Sequence, residues 1–130
     1  MHMRIMIVDD EPGLAEAIAG LLRLDGYEVF SATGGGEALE QIATFGAIDL
    51  LISDLMMPGL TGMELHQQLQ MRGLAPFLFV LMSGAAAASV PRLAGEHQAM
   101  ALPKPVTADE LRTVAARCAE ALHPRMPKAS

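Results

Sequence analysis

The chain has 130 residues, 52% of them hydrophobic and 18% charged, with a formal net charge of −6. That length suits one domain with a real core, the composition argues against disorder, and the acidic balance disfavours direct binding to nucleic acid, whose phosphates are held by clustered Lys and Arg. With no Trp and a single cysteine, Cys118, the core must come from Leu, Ile, Val, Met and Ala; an internal disulfide is excluded, and one Cys cannot form a Cys zinc site.

In chain order, Arg4 to Val8 is a short, nearly all-apolar run, as expected of a strand covered on both faces. Asp9-Asp10-Glu11 ends it, and Pro12 suits the first turn of a helix marked by Leu14, Ile18, Leu21 and Leu22 and stopped by Gly26. Tyr27 to Ala32 is the second strand. Gly34-Gly35-Gly36 punctuates, and a short helix from Glu37 to Thr44 places Leu39, Ile42 and Ala43 inward. Ile48 to Ser53 is the third strand, and its strong apolarity makes it central. It runs into Asp54 and a Pro58-Gly59 turn.

Met63, Leu65 and Leu69 mark a helix from about Thr61 to Arg72, ended by Gly73. Phe77 to Met82 is the fourth strand, stopped by Ser83-Gly84. Pro91 forbids an unbroken helix between Gly84 and Gln98, so the fourth helix is expected to be short or irregular. Ala99 to Leu102 is a weaker fifth strand before Pro103-Lys104-Pro105. In the last helix Thr107 and Glu110 form a capping box, and Leu111, Val114, Cys118 and Leu122 fall on one stripe. This alternation on short loops predicts an α/β fold, a doubly wound five-stranded parallel sheet with helices on both faces. The domain is expected over residues 3–122. Residues 123–130, polar and Pro-containing, read as a tail or the start of a linker.

In a parallel sheet all strand C-termini share one edge, where ligands of open α/β sheets bind. Asp9, Asp10, Asp54, Ser83 and Lys104 each end an apolar run or lie just beyond it, so they can converge. Three carboxylates together repel unless a cation compensates them, and Mg²⁺, which needs few protein ligands, suits them better than Ca²⁺. Asp54 could then act as a nucleophile forming an aspartyl phosphate, with Lys104 and the Ser83 hydroxyl stabilising phosphoryl oxygens. Singly, each residue has a plainer reading: a helix N-terminus, a turn cap, a turn, a solvated lysine. The joint order carries the information.

From Arg4 to Leu122 the chain resembles the receiver domains of two-component response regulators. The resemblance rests on Ile7-Val8-Asp9-Asp10-Glu11-Pro12, Ser53-Asp54-Leu55-Met56-Met57-Pro58-Gly59-Leu60-Thr61-Gly62, Met82-Ser83-Gly84 and Leu102-Pro103-Lys104-Pro105. It implies a flavodoxin-like sheet of strand order 2-1-3-4-5. It implies that Asp54 accepts a phosphoryl group from a histidine kinase or phosphotransfer protein. By the same resemblance Asp10 and Asp54 ligate Mg²⁺, Asp9 helps through water, and the backbone carbonyl of Met56 completes the protein ligands. Ser83 and Lys104 bind the phosphoryl oxygens, and the Lys104-Pro105 bond resembles one that is cis in the family.

Such a domain is no enzyme in the ordinary sense, catalysing only its own phosphotransfer and dephosphorylation. The family also allows a homodimer through the fourth helix, fifth strand and fifth helix. A cytoplasmic setting fits the lone cysteine and the lack of a membrane-length apolar run. One departure stands out. Members of that family commonly carry Tyr or Phe three residues before the Lys, and here that position is Ala101. The usual read-out residue is missing: either a signal passes through backbone or helix shifts in residues 84 to 101, or Ala101 is a neutral packing variation. Two alternatives remain: a non-phosphorylated interaction module of the same fold, and a small Mg²⁺-dependent aspartyl phosphatase, which would need a second carboxylate just after Asp54, where Leu55 and Met56 stand.

Overall fold

Apolar strands with side chains on alternating faces can be buried on both sides only if helices cover both. The computed structural model describes residues 3–84 and 98–122 and has this arrangement. Its strands are β1 (Arg4–Val8), β2 (Glu28–Ala32), β3 (Leu50–Asp54), β4 (Leu78–Ser83) and β5 (Gln98–Pro103). Its helices are α1 (Pro12–Leu24), α2 (Gly35–Phe45), α3 (Gly62–Met71) and α4 (Ala108–Leu122). All strand pairs are parallel, in the order β2-β1-β3-β4-β5. The doubly wound sheet and its order are thus as expected.

Each sheet face has its own core. Ile5, Ile7, Leu50, Ile52, Val80 and Met82 pack with α1 and α4, whereas Met6, Val8, Leu51, Phe79 and Leu81 pack with α2 and α3. The central strand β3 is buried at every position, including its last residue, Asp54.

Three local expectations needed correction. The stripe that α1 buries is Ala15, Ala19 and Leu22, while Leu14 is 42% exposed. Small residues let this helix lie close to the sheet, a choice that hydrophobicity alone does not reveal. In α2, Ala43 is exposed and Ala38 joins Leu39 and Ile42 inside. The glycine run does not break the chain there: Gly34 is the N-cap, and Gly35 and Gly36 begin the helix. A Cβ on Gly35 would sit 2.7 Å from the Leu60 Cβ, so close packing rather than a turn requires this glycine.

The short helix expected around Pro91 and the tail 123–130 lie outside the described residues, as does the part of the expected homodimer face that this helix would form. Among the described residues no helix is long and apolar enough to cross a membrane.

Cys118, on α4, is buried in the core that α4 shares with α1 and one sheet face, and burial, aided by the charge of Asp49, pushes its thiol up to about 12. The thiolate is the reactive form, so roughly a thousandfold less of it is present than at the ordinary value. Alkylation at neutral pH is therefore expected to be negligible until the chain unfolds. Mass spectrometry of iodoacetamide-treated protein with and without denaturant measures this; equal labelling in both would contradict the packing.

Candidate functional site

Parallel pairing sets the strand ends in line. Asp54 closes β3 opposite Met82, and Ser83 closes β4 opposite Pro103, one residue before Lys104. The Leu55 N–H donates to Met82 O at 2.9 Å, and the Lys104 N–H to Ser83 O at 2.7 Å. The backbone thus fixes the three segments to one another before any side chain acts.

Asp9, Asp10 and Asp54 each bring a carboxylate oxygen to a common place, all within 4.8 Å of one another. Asp9 and Asp54 are buried and Asp10 is exposed. Lys104 Nζ lies 2.9 Å from Asp54 Oδ2. Partial burial works to lower the lysine's pKa. The hydrogen bond and charge of Asp54, with Asp9 and Glu11 behind it, outweigh that and hold it above the ordinary ammonium range.

Burial pushes the Asp9 carboxyl up. Its Oδ1 accepts the Glu11 N–H at 2.9 Å, which works the other way, and the charges of Asp54 and Asp10 add to the rise while Lys104 opposes it. For an acid with a raised folded pKa, stability is present while the group is protonated and declines as the pH climbs through the carboxylate range. Three anionic oxygens beside one ammonium therefore leave surplus negative charge.

The donor set can be tested against a cation. Asp9 Oδ2 is buried and has no hydrogen-bond partner among the described residues. A buried carboxylate oxygen left so costs free energy unless something positive meets it. Oxygen donors at this separation fit a hard divalent ion.

Of the side chains expected at the site, Asp9, Asp10, Asp54 and Lys104 come together, and Ser83 is buried at the end of β4, paired with Pro103 beside Lys104. Met56, expected to contribute its backbone carbonyl, is 71% exposed. The Lys104-Pro105 bond is cis. Ala101, half-buried in β5, pairs with Leu81. Of the segment expected to carry the response, residues 85–97 lie outside the described residues.

Sequence reasoning missed two supports of the loop after Asp54. Thr61 and Glu64 form a second capping box, at 2.9 and 3.1 Å, written in the sequence as Thr-x-x-Glu. Gly62 donates its N–H to Leu55 O at 2.8 Å, and a Cβ there would stand 2.6 Å from Asp54 O and 2.6 Å from Leu81 Cδ2. Its φ is not positive, so the close approach is what demands glycine.

Comparison with known proteins agrees with this geometry. A family model described as the response regulator receiver domain matches residues 5–116. Response regulator MprA of Mycobacterium tuberculosis is 38% identical over 113 residues, covering 85% of this chain and 48% of that protein. Sensory transduction protein RegX3 of the same species is 40% identical over 76 residues, 58% of this chain and 33% of that protein. The chain thus matches a third to about half the length of these curated relatives.

Among solved structures, a response regulator receiver domain protein from Clostridium thermocellum superposes with a TM-score of 0.77 at 28% identity, covering 95% of this chain and 99% of that one. The receiver domain of the hybrid histidine kinase CckA is 32% identical, with a TM-score of 0.69 over 88% of this chain and 97% of that one. Fold, site and sequence agree: the chain belongs to the response regulator receiver domain family of two-component signalling.

Proposed function

We propose that Asp54 is the phosphoacceptor of this domain. A carboxylate oxygen of Asp54 attacks the phosphorus of a phosphohistidine on a partner histidine kinase or phosphotransfer protein. The P–O bond forms as the P–N bond breaks, and the imidazole nitrogen keeps its electron pair and takes up a proton. Water later attacks the phosphorus, releasing inorganic phosphate and the free carboxylate, so the mark is transient.

The observation that carries the reading is the meeting of three carboxylate oxygens within 4.8 Å with an ammonium 2.9 Å from one of them. A lone ion pair does not need two further acids beside it. Asp9, Asp10, Asp54 and the Met56 carbonyl would hold Mg²⁺, which when bound supplies positive charge against the anionic donor. Lys104 and Ser83 bind phosphoryl oxygens, the first as a charge and the second as a hydroxyl donor. Lys104 thereby exchanges part of its contact with Asp54 for contact with the transferred group.

Acetyl phosphate plus Mg²⁺ tests the proposal. One phosphoryl group per chain is expected, in a linkage cleaved by hydroxylamine, and chelation of Mg²⁺ should suppress it. Labelling that survives hydroxylamine or is indifferent to chelator would sink the assignment.

A further inference from the structure

In the sheet, β2 is an edge strand, and its outer side is where another strand could add. The Glu28 N–H donates to Met3 O and Ala32 O accepts from the Asp9 N–H, so residues 28, 30 and 32 turn their backbone groups toward β1. By the alternation of a parallel ladder, Val29 and Ser31 turn theirs outward.

Both outward carbonyls are already occupied. Arg23, near the end of α1, donates Nη2 to Val29 O at 2.9 Å and Nε to the same oxygen at 3.2 Å. Gln41 of α2 donates Nε2 to Ser31 O at 3.1 Å. The next residue on that side, Thr33, gives its N–H to Glu37 Oε2 at 3.3 Å.

Since α1 packs on one sheet face and α2 on the other, the strand edge is gripped from both sides. Each gripping donor is itself held by a glutamate of its own helix. Arg23 Nη1 meets Glu16 Oε1 at 2.5 Å, and Glu16 Oε2 accepts the Ser31 hydroxyl at 2.6 Å. Gln41 Nε2 also donates to Glu37 Oε1 at 3.1 Å.

Contacts this near the surface add little to stability, because water competes for their partners. Their effect lies in occupancy. An incoming strand could reach the Val29 and Ser31 N–H groups but would find both acceptors already engaged by side chains that stand in its path.

We infer that Arg23 and Gln41 form a clasp that closes the β2 edge against pairing with β2 of a second copy of this chain. The clasp is independent of the chemistry at Asp54. It leaves the backbone of an apolar, β-prone segment, Val29-Phe30-Ser31-Ala32, present at the surface but unavailable as a template.

The test is an Arg23→Ala/Gln41→Ala double variant, both substitutions favourable to helix. An Arg117→Ala/Gln70→Ala variant, changing the same residue types at exposed positions away from β2, is the control. Sedimentation velocity over a concentration series should show the clasp variant doubling in mass where wild type and control keep theirs. Amide exchange at Val29 and Ser31 should slow as the dimer forms. An unchanged mass in the folded clasp variant would overturn the inference, as would association without protection at Val29 and Ser31. If the double variant does not fold, Gln41→Ala alone, which frees Ser31 O, carries the same two readouts.

Discussion

Replacing Asp54 with Asn is expected to abolish labelling by acetyl phosphate or a phosphorylated partner while leaving the fold intact. The amide matches the carboxylate in shape but cannot attack phosphorus to leave an acyl phosphate. The substitution also removes one of the three charges crowded within 4.8 Å, and Asp54 is among the groups that raise the Asp9 pKa. Loss of that repulsion offsets loss of the ion pair with Lys104, which is partly solvent-screened. The metal-free variant should therefore stay within about 1 kcal/mol of wild type in urea unfolding. Its Mg²⁺ affinity should fall roughly tenfold or more, since affinity follows the number of charged ligands. Mass spectrometry reads the first effect and calorimetric Mg²⁺ titration the second. Full labelling of the Asn variant would show that some other residue receives the phosphoryl group.

Gly62→Ala should be the most damaging single methyl group near the site. The added carbon would meet Asp54 O and Leu81 Cδ2 at 2.6 Å and Leu55 Cα at 3.1 Å. Two of these atoms belong to the backbone that leads from Asp54 to Met56, so relief requires moving the loop. Overpacking of this kind costs about 1–3 kcal/mol, against a gain of up to about 1 kcal/mol from helix propensity. A net loss of stability and weaker Mg²⁺ binding are expected together.

Gly20→Ala provides the contrast. Gly20 lies inside α1 with nothing within 4 Å of a Cβ, so the same change there should stabilise by about 1 kcal/mol and leave Mg²⁺ binding alone. Urea midpoints for both variants decide the matter. A neutral Gly62→Ala would mean that the loop yields freely.

The architecture was legible because its signals are local. β1 matches its apolar run residue for residue, and the other strands shift by one or two positions at their ends. The acidic residues and Lys104 were legible because parallel strands must end on one edge. What escaped was set by contacts between distant segments. Hydrophobicity favours Leu14 for the buried stripe of α1, but the distance to the sheet selects Ala15 and Ala19. A run of three glycines reads as a break until Leu60 is seen against Gly35. His66 looks like a polar position on α3, yet it is buried edge-on to Phe79 with ring centroids 4.7 Å apart. None of these facts has a periodicity to reveal it.

The two capping boxes bear on how the site can move. One anchors the start of α3 seven residues after Asp54, and the other anchors the start of α4 three residues after Lys104. α1, by contrast, begins at Glu11 with no side-chain cap. In mechanical terms Asp54 and Lys104 hang on short tethers fastened at both ends, and the Asp9-Asp10 turn on one fastened at the strand and by the Asp9 Oδ1 bond to the Glu11 N–H, with no side-chain cap on the helix. A change of charge at the centre would then be expected to act first on the support without a helix cap. The acidic turn would take up the strain as the site fills and empties, and the rest of the edge would act as the frame it pushes against.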